Sequence, residues 1–387
     1  MHGCVGARTA SRSFTGSSGG TEHVIIVEAL PGPDFAEQLE AVARAYAEMQ
    51  RRLELDAATA VFRRLHVSDV MNQAVQLRAS PLCDDPASGP VAVSVVQQPP
   101  LPGSKLALLA YHVAAPGMAK RRISPRHLLV GKAELGHLWS TGLCVGEAPP
   151  PADATAQTRA AFDELVGTLA GQGGTLAENA VRTWIYVKDV DVLYQDMVDT
   201  RTPLLARHGL TTETHYIAAT GIEGACGGRH DVIAMDAYSV LGLVPGQVTY
   251  LNDFSRLCPT KDYDVTFERG TRVGYADRAH HFISGTASID HLGRVVHPGD
   301  VIRQLDRTLG NVEALLQSGA ASLEDLMYLL VYLRDPTDSD RVQWHLRARL
   351  PHLPILMVQG PVCRPEWLVE VEGIAITAQS QPFLPDF

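Results

Sequence analysis

The alternation of apolar and polar positions changes period many times along the chain, and the same succession of periods recurs. Near the end, Phe282 to Ser288 reads as a strand and is followed by a turn, Asp290-His-Leu-Gly293. From about Gly299 the period lengthens to that of a helix, with Val301, Leu305, Leu309, Val312, Leu315 and Leu316 on one face. Tyr328 to Leu333 predicts a strand broken by Arg334-Asp335-Pro336, and Asp338 to Leu350 a second helix. Ile355 to Val358 and Leu368 to Ile376 predict a closing strand pair. On the last strand Val369, Val371 and Ala375 share one face and Glu370 and Glu372 the other, as a solvated edge strand would.

A middle segment repeats this order. His137 to Leu143 predicts a strand, Ala156 to Ala170 a helix, Thr183 to Asp189 a strand and Val192 to His208 a helix. Thr214 to Ile222 and Asp231 to Val240 close it. The first segment is the most worn copy: Val24 to Ala29, helix Phe35 to Leu53, Phe62 to Asp69, helix Val70 to Arg78, then Val91 to Val96 and Leu106 to Val113. The strand ends His66-Val-Ser-Asp69, Tyr186-Val-Lys-Asp189 and Tyr332-Leu-Arg-Asp335 mark the three copies. The expected fold is therefore α+β, three tandem β-α-β-α-β-β domains at 21–116, 124–242 and 262–380, with 1–20 as a flexible tail rich in Ser, Gly and Arg.

Composition narrows the partners. A chain of 387 residues, 45% hydrophobic and 20% charged, belongs to the globular class. Its net charge of -10 argues against nucleic acid, and no apolar run is long enough for a membrane span. Cys4, Cys83, Cys144, Cys226, Cys258 and Cys363 form no CxxC pair, which fits a reduced, cytoplasmic protein. Neighbouring residues on a strand face opposite ways, so His280-His281 does not make a metal site, and no nucleotide-binding glycine pattern is present; the expectation is no metal and no cofactor.

The last copy resembles the Rid superfamily (reactive intermediate deaminases and relatives) through Phe282-Ile-Ser-Gly285, His297-Pro-Gly-Asp300, Gln304 and Asn311, Ala321 to Leu326, Val331 to Asp335 and Leu368 to Ala375. The middle copy resembles it less, the first only in order and landmarks. The resemblance implies Rid-like (chorismate-mutase-like) domains. Members of that family are trimers with ligand sites between subunits, so three copies in one chain imply an intramolecular pseudo-trimer, monomeric or a low-order homo-oligomer. More narrowly, Cys363-Arg-Pro-Glu-Trp-Leu-Val-Glu-Val-Glu-Gly373, Ser284 to Ser288, Arg334 to Pro336 and Ala218 to Ile222 look similar to chorismatases, which hydrolyse chorismate. The run Leu257 to Gly270 departs from their pattern. The simple deaminases carry an Arg near the position of Ile355, and this chain has none there.

The resemblance directs attention to Glu370 as a catalytic acid. A carboxyl shut in a cleft holds its proton to higher pH and can protonate the carbon of an enol ether. The plainer reading is a solvated strand residue beside a cation. Arg364 can fork onto a substrate carboxylate or pair with Glu366 or Asp335. Cys363 is a candidate pocket wall. Ser284, Thr286 and Arg334 are candidate substrate contacts, or a strand cap in the first two and a partner of Asp335 in the third. Glu268, Arg269, Phe267 and Tyr263 are candidate walls, the rings for stacking on a flat substrate, or merely the first strand of the domain. His215 and Glu223 are secondary candidates at another interface. The resemblance implies a hydrolase or lyase acting on a small carboxylated enol ether such as chorismate. An imine or enamine deaminase releasing ammonia and a non-catalytic ligand-binding protein are the alternatives.

Overall fold

A computed structural model describes residues 6–32, 34–132, 134–144, 153–260 and 265–387. The first unit contains β1 (Ala7–Thr15), β2 (Thr21–Ala29), α1 (Phe35–Arg52), β3 (Ala60–Val67), α2 (Val70–Arg78), β4 (Ala92–Gln97) and β5 (Leu106–Ala114). The second contains β6 (Ala119–Ser124), β7 (His127–Lys132), β8 (Leu135–Leu143), α3 (Ala154–Gly171), the single turn α4 (Leu176–Asn179), β9 (Ala180–Val187), α5 (Val190–Arg207), β10 (Ala218–Glu223) and β11 (Ile233–Leu241). The third contains β12 (Val248–Tyr250), β13 (Gly270–Gly274), β14 (Arg278–Ala287), α6 (Val301–Ser318), β15 (Leu326–Leu333), α7 (Ser339–Arg349), β16 (Ile355–Gln359) and β17 (Val369–Ala378).

The described strands form three sheets, ordered β1-β2-β5-β3-β4, β10-β9-β11-β8-β7-β6 and β12-β13-β14-β17-β15-β16. Each holds the same kernel. β3, β9 and β15 each run parallel to one neighbour (β4, β10, β16) and antiparallel to another (β5, β11, β17). The β-α-β-α-β-β order expected from the repeat is thus the observed one in all three units. A parallel step needs a crossover helix, and α2, α5 and α7 supply it.

Helix starts follow local chemistry. Asp34, Asp153 and Asp300 cap α1, α3 and α6 by accepting from Ala36, Ala156 and Arg303 N–H groups at 2.6, 2.8 and 3.0 Å. α5 is capped from outside. Its leading Asp189 has φ +54° and no side-chain cap bond, and Glu223 of β10 accepts from the Asp189 and Val190 N–H groups at 3.0 and 2.6 Å. Glu223, a candidate site residue in the sequence, is therefore a helix cap. His215 is likewise structural, bonded to the Ala177 carbonyl at 2.9 Å and stacked on Tyr250.

β3 and β15 are buried at every position, because one face meets helices and the other meets the neighbouring sheets. A single apolar cluster runs through all three units and includes Phe62, Trp139, Trp184, Tyr238, Phe282 and Tyr328. This shared centre makes the chain a pseudo-trimer. It also removes the solvated-edge alternative for Leu368 to Ile376. β17 lies between β14 and β15, and Glu370 and Glu372 are only 5% and 1% exposed.

The expected flexible tail is a strand for much of its length. Ala7 to Thr15 pairs residue for residue with Ala29 to Thr21. Past the turn, the Ser18 hydroxyl donates to Asp277 at 2.7 Å, and Arg278 donates to the Gly20 carbonyl at 2.8 Å, pinning the hairpin to the third unit. An edge strand that is half-exposed along its length has little apolar periodicity to read.

Candidate active site

Where the second and third units meet, a cavity of about 270 Å³ opens. β17 supplies Glu370 to it, and the loop before β17 supplies Cys363, Arg364 and Trp367. The segment before β13 adds Val265, Phe267 and Arg269. Across the interface stand Thr220 and Gly221 of β10 and Tyr194, Gln195 and Arg201 of α5.

The loop is set by buried amides of α6. Gln304 donates to the Glu366 carbonyl at 2.8 Å and accepts from Leu368 N–H at 2.9 Å. Asn311 donates to the Ala287 and Ile289 carbonyls at 3.1 and 3.0 Å. The Trp367 indole N–H donates to the Ser288 carbonyl at 3.1 Å. These bonds leave the Cys363 to Trp367 loop little freedom beside Glu370.

Opposite β17, the pairing of β14 breaks step between Ile283 and Thr286. Such a bulge redirects the residues it contains. Here it puts Gly285 against the acid: a β-carbon on Gly285 would lie 2.2 Å from the Glu370 Oε1. The Gly285 N–H donates to the Thr220 hydroxyl at 2.9 Å, fastening the bulge to the second unit.

The two carboxylates of β17 have separate roles. Glu372 is bound into the interface: it accepts from Arg182 at 2.8 Å, from the Trp184 indole at 2.7 Å and from the Thr220 hydroxyl. Glu370 faces the cavity, and none of the described residues forms an ion pair with it. Burial, reinforced by the nearby Glu372 charge, pushes the Glu370 carboxyl up to about 8, against the pull of Arg182 and Arg269. It therefore carries its proton at neutral pH.

Cations surround this neutral acid. Arg269 is 3% exposed, lies 5.4 Å from the centre of the Phe267 ring and donates to the Cys258 carbonyl at 3.1 Å. Arg201 is also 3% exposed. Arg364 lies 4.9 Å from the Trp367 ring centre and donates to the Gly293 carbonyl at 3.3 Å, rather than to Glu366 or Asp335. Burial, with Glu370 close by, pushes the Cys363 thiol up to about 12, which keeps it a protonated wall and not a thiolate.

Of the residues singled out in the sequence, Glu370, Arg364, Cys363, Arg269 and Phe267 meet here. Others are bound elsewhere. The Glu268 carboxylate accepts from Tyr216 N–H at 2.9 Å. Ser284 donates to the Glu268 carbonyl at 2.6 Å and accepts from Ala219 N–H at 3.0 Å. Thr286 donates to the Ser284 carbonyl at 2.9 Å within the bulge. Arg334 pairs in bidentate fashion with Asp191 at 2.9 and 2.8 Å, and not with Asp335. Tyr263 lies outside the described residues. His280 and His281 diverge to Glu22 at 2.9 Å and Thr377 at 3.0 Å. Arg201, Tyr194 and Gln195 were missed because they come from another unit. The likeness of Ala218 to Ile222 was the signal that pointed to that wall.

No family model matches the chain. Among curated proteins, a 3-hydroxybenzoate synthase from Streptomyces hygroscopicus is 26% identical over 264 residues, covering 60% of this chain and 73% of its own. Among solved structures, a chorismatase matches 96% of this chain and 99% of its own, with a TM-score of 0.62 and 21% identity. RidA from an Antarctic Psychrobacter matches 33% of this chain and 99% of its own, with a TM-score of 0.29 and 20% identity. Over nearly its whole length the chain has the fold of a chorismatase.

Proposed function

We propose that the protein is an enzyme acting on chorismate or a close carboxylated enol ether, with Glu370 as the proton donor. The observation that carries this reading is the buried Glu370 carboxyl in a cavity that also holds Arg201, Arg269 and Arg364, where burial pushes it up to about 8. An enol ether is cleaved after a proton reaches its methylene carbon, which turns the adjoining carbon into an oxocarbenium centre. An acid whose proton is retained near neutrality suits that step. A substrate with two carboxylates needs fixed cations, and guanidinium groups held by walls and carbonyls supply them with little reorganisation.

Two outcomes share the proton transfer. Addition of water to the oxocarbenium carbon gives pyruvate and a dihydroxycyclohexadiene carboxylate. Loss of pyruvate with aromatisation gives a hydroxybenzoate and needs no net water, because chorismate already holds the atoms of both products. The relative named 3-hydroxybenzoate synthase favours the second outcome for this chain. Incubation with chorismate, followed by chromatography of the ring product and a coupled assay of pyruvate, tests the reading. Equimolar pyruvate and 3-hydroxybenzoate are expected. Pyruvate with a diene diol would retain the acid and replace the product; no pyruvate would remove chorismate as substrate.

A further inference from the structure

The three sheets share one register, so their clefts can be compared position by position. Glu370 lies opposite Tyr332. The matching pair in the second unit is Ala234 opposite Tyr186, and in the first unit Ala107 opposite His66. A methyl group replaces the acid in both.

The cleft between the first and second units keeps most of the other parts around a cavity of about 190 Å³. β11 and β8 break step between Met235 and Ala237, as β17 and β14 do, and Gly142 takes the place of Gly285. Arg126 takes the place of Arg269: its carbonyl accepts from Thr141 N–H at 2.9 Å, where that of Arg269 accepts from Ser284 N–H at 3.1 Å. Cys226 lines this cavity as Cys363 lines the other, just after the bridge to the preceding unit. On the facing wall, Val93 and Val95 replace Ala219 and Gly221, and Ala74 replaces Tyr194. Arg78 stands at the edge, and Arg126 also pairs with Glu164 at 2.8 Å.

The remaining cleft does not keep this arrangement. β2 and β5 pair without a break from Thr21 to Glu28. The Pro99 to Leu101 segment crosses onto β16, with Leu101 N–H donating to the Met357 carbonyl at 2.9 Å and Gln359 N–H to the Pro99 carbonyl at 2.8 Å.

We infer that the cleft between the first and second units is a second, non-catalytic site for a small ring compound bearing one carboxylate. Val93, Val95 and Ala74 present an apolar wall to the ring, while Arg78 and Arg126 meet the carboxylate. Ala234 leaves nothing in place of Glu370 to protonate the ligand. The existence of the site follows from the register. The choice of ligand class rests on the reading of the Glu370 cleft, whose substrate and product are carboxylated rings.

Calorimetric titration of the full chain with 3-hydroxybenzoate tests this. The wild type is expected to bind about two equivalents. Ala74→Trp, which fills the cavity, is expected to bind about one and to release pyruvate from chorismate as the wild type does. Should that variant not fold, Arg78→Glu on the exposed edge is expected to weaken one site at least tenfold. Binding of one equivalent or none by the wild type, or an unchanged two-site titration in the folded variants, overturns the site. A wild type that leaves chorismate intact, yet loses one binding event in Ala74→Trp, upholds the site and removes only the proposed reaction.

Discussion

Glu370 and Glu372 project from the same face of β17, two residues apart, and their surroundings treat them oppositely. Arg182 at 2.8 Å and Trp184 at 2.7 Å hold the Glu372 carboxylate, while Glu370 looks into the cavity. The clamped carboxylate is also a like charge that raises the affinity of Glu370 for its proton. Glu372→Gln should therefore move the alkaline limb of the rate profile to lower pH by weakening that repulsion. An unmoved limb in a folded variant would break the link between the pair.

Arg182→Ala tests the clamp as a structural element. It would leave the Glu372 carboxylate buried, with Arg64 the remaining guanidinium at 3.8 Å. Removing one partner of a buried pair costs about 3–5 kcal/mol. Chemical denaturation should show a loss of that order, and Glu372→Gln, which leaves the Arg182 guanidinium buried without its carboxylate, should show a comparable one.

Gly285→Ala addresses geometry without altering charge. The added carbon would fall 2.2 Å from the Glu370 Oε1, so the carboxyl must move. A misplacement of about 1 Å can cost roughly 10²-fold in rate. We expect a drop of that order in kcat for pyruvate release, with the cooperative unfolding transition retained.

Cys363 gives a contrasting prediction. With its thiol pushed up to about 12, iodoacetamide at pH 8 should modify it slowly. Cys363→Ala should keep pyruvate release within about tenfold of wild type, since general-acid loss alone accounts for roughly 10²–10⁴-fold. Collapse of activity in that variant would assign the sulfur a chemical part.

The protonation of Glu370 also links pH to stability. Its folded-state affinity is raised from the ordinary value near 4.5 to about 8. Between those values the unfolded chain gives up a proton that the folded chain retains, so this group makes stability fall as pH rises, levelling off above about 8. Glu370→Gln should flatten that part of the curve in denaturant titrations from pH 5 to 9.

Much of this was legible because the repeat carries its own punctuation. The strand ends at Asp69, Asp189 and Asp335 place β3, β9 and β15, and the period-two run after Cys363 places Glu370 on the face opposite Val369 and Val371. What lay across an interface was harder to read. Arg201 reaches the cavity from α5, far from Glu370 in sequence. Arg334 looked like a site residue beside Asp335, but Asp191 of the second unit takes its fork. Ser284 and Thr286 resembled substrate contacts, but the Ser284 hydroxyl joins the Glu268 carbonyl to the Ala219 N–H, and the Thr286 hydroxyl donates to the Ser284 carbonyl within the bulge. β1 and β6 are half-exposed edge strands without a strong apolar period.

Cleavage of a carboxylated enol ether by a protonated Glu370 has a distinct pH signature. The most direct measurement is the initial rate of pyruvate release from chorismate between pH 6 and 10, for wild type and Glu370→Gln. The wild-type rate is expected to hold at lower pH and to fall tenfold per unit above about 8, with the variant at least ~10²-fold slower throughout. Equal rates in the two proteins, or a wild-type rate that climbs through pH 8, would contradict it.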